Sequence, residues 1–206
     1  MEFLTIDLFK AMLRQALDEI KKREDEFSQL DAVIGDADHG TAIVTALSAA
    51  VKAAEKGAEF KSMLNDMGFG VMLETSGSTS TLLGALFLGM ADYASGIALD
   101  AAGIKTMFSG GLANVMKQTQ ARIGDKTMMD ALIPAVEAMQ TFTSGDVREL
   151  FKAAAMAARQ GAEQTINMKA NYGRARNYGE RSIGYADSGA SSWSCMINAF
   201  AECIIK

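Results

Sequence analysis

Apolar residues recur at three- and four-residue intervals along most of this 206-residue chain, and this spacing limits its fold more than any other feature. Ile6, Phe9, Leu13, Leu17 and Ile20 form one such stripe, with charged residues between them. The pattern is typical of an amphipathic helix that buries one face. Similar segments follow at residues 43–54, 60–67, 82–91, 100–122, 127–141, 144–168 and 193–204, and no convincing strand run appears. The sequence therefore predicts an all-α fold, an antiparallel bundle of about eight helices formed by residues 1–206 as one domain.

Four local features of these helices can also be predicted. The "GFG" sequence at 68–70 is expected to interrupt the third helix, and Ser144 is expected to cap the seventh. Pro134 lies inside the sixth helix, where a proline removes one hydrogen bond and bends the axis. Residues 82–91 are apolar nearly all round, so this helix is expected at the centre of the fold.

Composition limits the class of protein. With 49% apolar and 22% charged residues the chain can form a compact core, and its net charge of −5 argues against a nucleic-acid partner. The longest apolar run, 82–91, is far shorter than the roughly 20 residues of a membrane span. Cys195 and Cys203 lack zinc or redox spacing, and the N-terminus lacks a signal-peptide pattern. We expect a cytoplasmic protein with free thiols and no membrane partner.

Three aspartates stand close together in the sequence "LDAVIGDADHGTA". Asp31, Asp36 and Asp38, called here the acidic cluster, repel one another unless a cation offsets their charge. An oxygen-only set of ligands suits Mg²⁺ and disfavours zinc. An EF-hand is excluded because the twelfth position counted from Asp36 is Leu47 rather than glutamate.

A helix that begins at Gly40–Thr41 would point free N–H groups toward this acidic cluster, which places an anion site beside a cation site. His39, the only histidine of the chain, could donate a hydrogen bond to a phosphate there. An oxygen-bound Mg²⁺ with an adjacent anion is typical of a nucleotide phosphate site. A solvated turn whose aspartates only cap the following helix fits the same spacing.

Three further stretches carry residues that suit phosphate or nucleotide binding. The hydroxyl-rich turn, "ETSGSTSTLLG" at 74–84, can surround phosphate oxygens or simply cap a helix, and it has no Walker lysine. The arginine-rich loop, "YGRARNYGERSIGYADSGASS" at 172–192, can bind phosphate or carboxylate groups, although surface loops often look similar. In the lysine turn, "GDKTMMDAL" at 124–132, Met128 is a candidate for a purine pocket or for the core.

Together and in this order, the four stretches resemble the DhaL subunit of dihydroxyacetone kinases over nearly the whole chain, with "GDADHG" and "YGERSIG" the most specific matches. The resemblance implies a barrel of eight antiparallel helices with a nucleotide, ADP or ATP, at one end. It also implies that the acidic cluster holds two Mg²⁺ ions. The residues that the resemblance places around the metal and the nucleotide are Asp31, Asp36, Asp38 and His39, taken as catalytic, then Gly40, Thr41, Ala42, Ser78, Thr79, Met128, Arg174, Asp187, Ser188 and Gly189.

The family resemblance also implies a phosphotransferase subunit that acts on a small hydroxyketone. The family holds this substrate through a histidine of a separate K-type subunit, and the only histidine here lies in the acidic stretch, so a K-type partner is expected. The phosphoryl donor stays open between a phosphohistidine carrier of the phosphotransferase system, which recharges bound ADP, and exchangeable ATP.

The chain departs from the family pattern near the expected phosphates. Ala42 stands where the family usually has asparagine, and "GSTSTL" at 77–82 stands where it has "GASGPL". The substrate is therefore open between dihydroxyacetone and a related tetrose-type ketose. A non-catalytic nucleotide-binding adaptor, or a bundle without a ligand, are the other hypotheses.

Overall fold

The computed structural model describes residues 1–74 and 76–205, and α-helices dominate this part of the chain. The helices are α1 (Ile6–Lys22), α2 (Glu24–Ile34), α3 (His39–Ala54), α4 (Phe60–Glu74), α5 (Ser78–Ala91), α6 (Ala101–Gln118), α7 (Met129–Thr141), α8 (Val147–Gln164) and α9 (Ser188–Ile205). Two 3₁₀ segments, Thr165–Asn167 and Arg174–Ser182, precede α9. Two short strands, β1 (Leu4–Thr5) and β2 (Ala98–Leu99), pair antiparallel. The all-α prediction is confirmed.

Eight of the described helices form a closed ring. In the order α1, α3, α4, α5, α6, α7, α8 and α9, each helix packs against the next, and α9 packs back against α1. Helix α2 lies outside this ring, on α3 and α9. Short connections make consecutive neighbours antiparallel, so the connections alternate between the two ends of the barrel. Those that precede α3, α5, α7 and α9 therefore share one end, and they contain the four stretches singled out in the sequence.

The glycines of α4 join two helices closely, and the prediction that "GFG" interrupts this helix is wrong. Helix α4 runs through residues 68–70 without a break. A Cβ atom on Gly68 would lie 2.5 Å from the Leu88 Cγ and 3.0 Å from the Gly84 carbonyl oxygen, both on α5. The absent side chain thus permits a close approach of α4 and α5, and this packing outweighs the low helix propensity of glycine.

Two other local predictions need correction. Asp146 rather than Ser144 caps α8, because its carboxylate accepts the N–H group of Arg148 at 2.8 Å. The Ser144 hydroxyl instead accepts the N–H group of Asp146 at 3.1 Å. Helix α2 was not predicted, since among its residues only Phe27 and Ile34 are buried and they form no visible stripe.

The core confirms the prediction for the fourth apolar segment. Helix α5 buries 11 of its 14 residues and packs on α3, α4 and α6. Pro134 lies inside α7, as expected. Among the residues that the structure describes, no helix combines the length and the apolar character that crossing a membrane requires.

Candidate functional site

A cavity of about 510 Å³ lies at the end of the barrel where the four stretches meet. Its size is within the range of roughly 300–1,000 Å³ that is usual for small-molecule sites. Most of the predicted site residues line it, namely Asp31, Asp36, Asp38, His39, Ala42, Ser78, Thr79, Met128, Arg174, Asp187, Ser188 and Gly189. The fold thus brings together residues that are up to 158 positions apart in the sequence, from 31 to 189.

Two predicted residues, Gly40 and Thr41, are not among those that line the cavity. The Thr41 hydroxyl donates to the Glu24 carboxylate at 3.0 Å. A Cβ atom on Gly40 would lie 2.1 Å from the Glu24 carbonyl oxygen. Both residues therefore hold the start of α2 against the start of α3, and their contact with a phosphate stays a prediction.

The acidic cluster is compact. Asp31, Asp36 and Asp38 each offer one carboxylate oxygen, and these oxygens lie within 4.8 Å of one another. Asp31 lies near the end of α2, and its Oδ2 accepts the N–H groups of Asp36 at 3.3 Å and Asp38 at 3.2 Å. Ala37, between these two residues, has a φ of 65°, which is uncommon for a residue other than glycine. The loop is thus wound around the Asp31 carboxylate in a strained conformation of the kind found at functional sites.

Burial and like charges both act on the acidic cluster. Desolvation, followed by the neighbouring Asp36 and Asp31 carboxylates, raises the pKa of Asp38, and the Arg174 guanidinium partly opposes this effect. Arg174 itself forms an ion pair with Asp36. A ligand set of closely spaced carboxylate oxygens, which includes neither cysteine nor histidine, fits a hard divalent cation such as Mg²⁺. The donor set therefore fits the metal that the family resemblance implies.

Two helix N-termini face the cavity beside the acidic cluster. Helix α3 follows Asp38, whose side chain makes no capping hydrogen bond to the described residues. Helix α5 follows Gly77, which has no side chain to cap it and a φ of 106°. The N–H groups and the positive end of the dipole of such a helix attract anions. The alternative that the aspartates serve only to cap α3 therefore describes this site poorly.

His39 is buried at the junction of three helices. Its Nε2 lies 2.8 Å from the Ser192 hydroxyl, and its Nδ1 lies 3.4 Å from the Thr79 hydroxyl. The Ser192 hydroxyl donates to the Gly189 carbonyl at 3.1 Å, so we assign the proton of the imidazole to Nε2, from which it is donated to Ser192. Burial lowers the pKa of His39, which favours the neutral ring. Its contact with a phosphate stays a prediction, since both ring nitrogens already have hydroxyl partners.

Asp187 lies where α9 begins, on the cavity wall that adjoins the lysine turn. Its carboxylate accepts the N–H group of Ala190 at 2.7 Å, so the N-terminus of α9 carries a side-chain cap. Desolvation raises the pKa of Asp187 to about 7, and the Asp130 carboxylate adds to the effect. The Ser188 hydroxyl donates to the Asp31 carboxylate at 3.4 Å, which connects this wall to the acidic cluster.

Sequence reasoning missed several residues of the cavity. Gln118, Thr119, Thr127 and Tyr172 all line it. Thr127 and Tyr172 belong to the lysine turn and the arginine-rich loop, so their position next to Met128 and Arg174 was a usable signal. Gln118 and Thr119 lie at the end of α6, where only the barrel geometry could have placed them.

Fold and site together define an all-α barrel with an acidic cavity at one end. A family model described as the DAK2 domain matches residues 33–202. The chain belongs to the DAK2 domain family, which confirms the resemblance to DhaL subunits.

Curated relatives carry dihydroxyacetone kinase and erythrulose kinase names. The ADP-binding subunit DhaL of PEP-dependent dihydroxyacetone kinase 2 from Listeria innocua is 32% identical, with 91% of this chain and 89% of that protein aligned. The corresponding ADP-binding subunit DhaL from Escherichia coli is 34% identical, with 84% of each chain aligned. A D-erythrulose kinase from Mycolicibacterium smegmatis is 32% identical over 88% of this chain, which spans only 32% of that longer protein.

Solved structures share the fold. The native dihydroxyacetone kinase of C. freundii superposes with a TM-score of 0.75 over 95% of this chain and 34% of that protein, at 22% identity. The same kinase in complex with AMP-PNP and Mg²⁺ superposes with a TM-score of 0.72 over 94% of this chain and 33% of that one, again at 22% identity. The predicted helical barrel is therefore confirmed.

Proposed function

We propose that this chain is the nucleotide-binding phosphotransferase subunit of a dihydroxyacetone-type kinase and that residues 1–206 act as one domain. The observation that carries the proposal is the acidic cluster, with its oxygens within 4.8 Å, on the wall of a cavity that the N-termini of α3 and α5 also face. Cation and anion sites side by side are what a metal-bound polyphosphate requires. The names of the relatives support this assignment.

The acidic cluster would hold two Mg²⁺ ions, which neutralise charge on the phosphates of bound ADP or ATP when present. The start of α3 and the pair Ser78–Thr79 would contact the phosphates. Met128 and Arg174 would lie along the rest of the nucleotide, and residues 187–189 would close over it. Because phosphoryl transfer depends mostly on positioning and charge neutralisation, no protein nucleophile is required in this chain.

The proposed substrate is a small hydroxyketone held by a K-type partner subunit in the cytoplasm. The family that this chain resembles holds the hydroxyketone through a histidine. The only histidine of this chain, His39, is buried and contacts Ser192 and Thr79, so a partner is expected to supply that residue. The proposed donor is a phosphohistidine carrier of the phosphotransferase system that recharges bound ADP. The names of the DhaL relatives support this choice, as they describe ADP-binding subunits of PEP-dependent enzymes.

Two alternatives follow from particular observations. The erythrulose kinases among the relatives favour an ATP-dependent kinase subunit for a related ketose. Ala42 and the altered 77–82 sequence favour a nucleotide-binding regulatory adaptor without catalysis. The nucleotide content of the protein, purified in buffer without nucleotide and then denatured, distinguishes the phosphohistidine-carrier mechanism from the ATP-dependent one. Release of about one ADP per chain would support the carrier mechanism. An empty site that fills with ATP would support the ATP-dependent alternative.

The test of the proposed function is the variant Asp36→Asn. We expect phosphoryl transfer to dihydroxyacetone, assayed with a K-type partner and a phosphohistidine carrier, to fall by at least about 10²-fold, because one oxygen ligand of the metal site loses its charge. Circular dichroism should show an unchanged helical fold. Asp66→Asn, an exposed position on α4 outside the cavity, is the matched control and should keep full activity. Near-normal transfer by Asp36→Asn contradicts the metal role. Binding of Mg²⁺ and ADP without any transfer by the unmodified protein supports the adaptor.

A further inference from the structure

Lys126 is a buried cation that the proposed chemistry does not use. Its side chain is only 1% exposed, and its backbone φ is 60°, in the left-handed region that residues other than glycine rarely adopt. A lysine in such a place is costly, since burial lowers the pKa of its ammonium group. Strain and burial at one residue persist where the surrounding structure holds it in place.

The contacts of this ammonium explain why it is held. Its Nζ donates to the carbonyl oxygens of Thr165 at 2.7 Å, Met168 at 3.2 Å and Tyr185 at 2.5 Å. Three acceptors satisfy all three N–H groups of an ammonium. Two of these acceptors belong to the turn that follows α8, and the third belongs to the arginine-rich loop two residues before Asp187.

These contacts connect two walls of the cavity. Lys126 is followed directly by Thr127 and Met128, which line one wall, whereas Tyr185 precedes Asp187 and Ser188, which line the adjoining wall. Further hydrogen bonds hold each wall in place near Lys126. Asp130 accepts the N–H groups of Gly124 at 2.6 Å and Thr127 at 2.8 Å in the lysine turn.

On the adjoining wall, two hydrogen bonds attach the arginine-rich loop to the turn after α8. The N–H group of Asp187 donates to the Thr165 hydroxyl at 2.9 Å, and the N–H group of Gly184 donates to the Ile166 carbonyl at 2.7 Å. Each wall is thus internally organised, and the Lys126 ammonium bridges one to the other.

We propose that Lys126 is a positioning residue whose ammonium group holds the arginine-rich loop against the lysine turn and thereby sets how tightly the cavity retains a nucleoside diphosphate. The inference rests on the proposed function only for its ligand. The coupling between the two walls is a property of the free protein. Lys126 does not touch the ligand in this scheme, so its loss affects retention of nucleotide rather than the transfer step.

Three variants separate this role from general stability. Lys126→Met removes the ammonium and keeps the side-chain length, and Lys126→Gln keeps an N–H donor. The matched control is Lys10→Met. The Lys10 ammonium also donates to backbone carbonyls, Gly57 at 2.8 Å and Glu55 at 3.4 Å, but in a connection at the opposite end of the barrel.

Hydrogen exchange of the free protein, read by mass spectrometry, tests the coupling directly. In Lys126→Met we expect peptides covering residues 165–189 to exchange at least about tenfold faster than in the unmodified protein, because three carbonyls lose their donor. Lys10→Met should leave these peptides unchanged. If Lys126→Met does not fold, Lys126→Gln carries the same comparison, with a smaller acceleration expected. Unchanged exchange at 165–189 in a folded Lys126 variant overturns the proposal.

Calorimetry with Mg²⁺ and ADP tests the effect on retention. We expect Lys126→Met to weaken ADP binding by about tenfold or more while kcat at saturating nucleotide stays within about twofold. A loss of kcat with unchanged affinity overturns the positioning role. If the unmodified protein binds no ADP, the proposed function fails, and the exchange experiment still decides whether Lys126 couples the two walls.

Chemical rescue distinguishes hydrogen bonding from charge. In Lys126→Ala, added n-propylammonium can replace the missing part of the side chain, so we expect it to slow exchange at residues 165–189 toward the original rate. Tetramethylammonium, which carries the same charge without N–H donors, should have no effect. Equal effects of both cations, or of neither, contradict the donor role of the ammonium.

Discussion

His39 shows how a residue can be identified from sequence while its contacts cannot. Its place beside the acidic cluster predicted a hydrogen bond to a phosphate. In the structure it joins α3 to α5 and α9 through the Thr79 and Ser192 hydroxyls, and burial lowers the pKa of its ring. A neutral imidazole that donates through Nε2 satisfies both contacts, whereas a charged ring would need acceptors on both sides.

The first prediction at the residue scale concerns the tautomer and the pKa of His39. Because it is the only histidine, its imidazole resonances can be assigned without ambiguity by NMR. We expect a long-range ¹H–¹⁵N spectrum at pH 7 to show the neutral ring protonated at Nε2, with a pKa below the ordinary value of about 6.5. The Ser192→Ala variant is a matched control, since it removes the acceptor of Nε2–H and should shift the Nε2 resonance.

A ring protonated at Nδ1, or a pKa at or above the ordinary value, would contradict this assignment. The same titration repeated with Mg²⁺ and ADP tests the earlier prediction of a phosphate contact. A large change at Nε2 or Nδ1 on binding would indicate that His39 exchanges one of its hydroxyl partners for the ligand.

Individual residues of the site differ in how far the sequence could predict them. The convergence of the acidic cluster was predictable, because three carboxylates within eight positions of one short turn lie close together, whereas their metal role stays a prediction. Lys126 was not, since a lysine in a short turn is ordinarily exposed and only the carbonyls of Thr165, Met168 and Tyr185 explain its burial. Those acceptors are about 40 to 60 positions away, beyond the reach of any local pattern.

At the scale of elements, alternation explains why four distant stretches form one site. In an antiparallel ring every second connection lies at the same end, so the loops before α3, α5, α7 and α9 meet. Periodicity alone predicted most of these helices. Periodicity missed α2, in which only Phe27 and Ile34 are buried. It also predicted a break at the glycines of α4, because the close contact of these glycines with α5 is a tertiary effect that no local pattern shows.

Gly161 makes the corresponding contact between α8 and α7, and its substitution gives the second prediction of this section. Alanine would improve the helix propensity of α8 by about 1 kcal/mol. However, its Cβ would lie 1.8 Å from the Asp130 carbonyl oxygen, a backbone atom that cannot rotate away. Because overpacking of this kind costs about 1–3 kcal/mol or more, we expect Gly161→Ala to lower the free energy of unfolding overall.

Urea unfolding followed by circular dichroism measures this effect. Gly145→Ala is the matched control, since a Cβ at Gly145 would have no atom within 4 Å, and its effect should stay within about 0.5 kcal/mol. Equal stability of the Gly161 and Gly145 variants would show that α7 and α8 separate easily. Such a result would also weaken the description of the lysine turn as an internally organised wall, because Asp130 anchors that turn.

At the scale of the whole molecule, several carboxylates lie near the cavity at one end of the barrel. The chain has a net charge of −5, and the acidic cluster, Asp130 and Asp187 lie close together there. Asp187 contributes most clearly to the pH dependence of stability, since desolvation raises its pKa to about 7. A raised pKa means that the folded chain binds this proton more tightly than the unfolded chain, in which aspartate titrates near 3.9.

The last prediction follows from the sign of this difference. Between about pH 4 and pH 7 the folded state holds more protons at Asp187 than the unfolded state, so this residue makes the free energy of unfolding fall as the pH rises. His39 acts in the opposite direction, because its lowered pKa stabilises the fold above the ordinary histidine pKa.

Comparison with Asp187→Asn isolates the aspartate, since both proteins contain the same histidine and asparagine can still accept the N–H group of Ala190. Urea unfolding without Mg²⁺ at pH 5.5 and pH 7.5 should show a larger loss of stability, or a smaller gain, in the unmodified protein than in the variant. Parallel changes in the two proteins would mean that the Asp187 carboxyl titrates near its ordinary value and that solvent, or the Lys126 ammonium, compensates its burial.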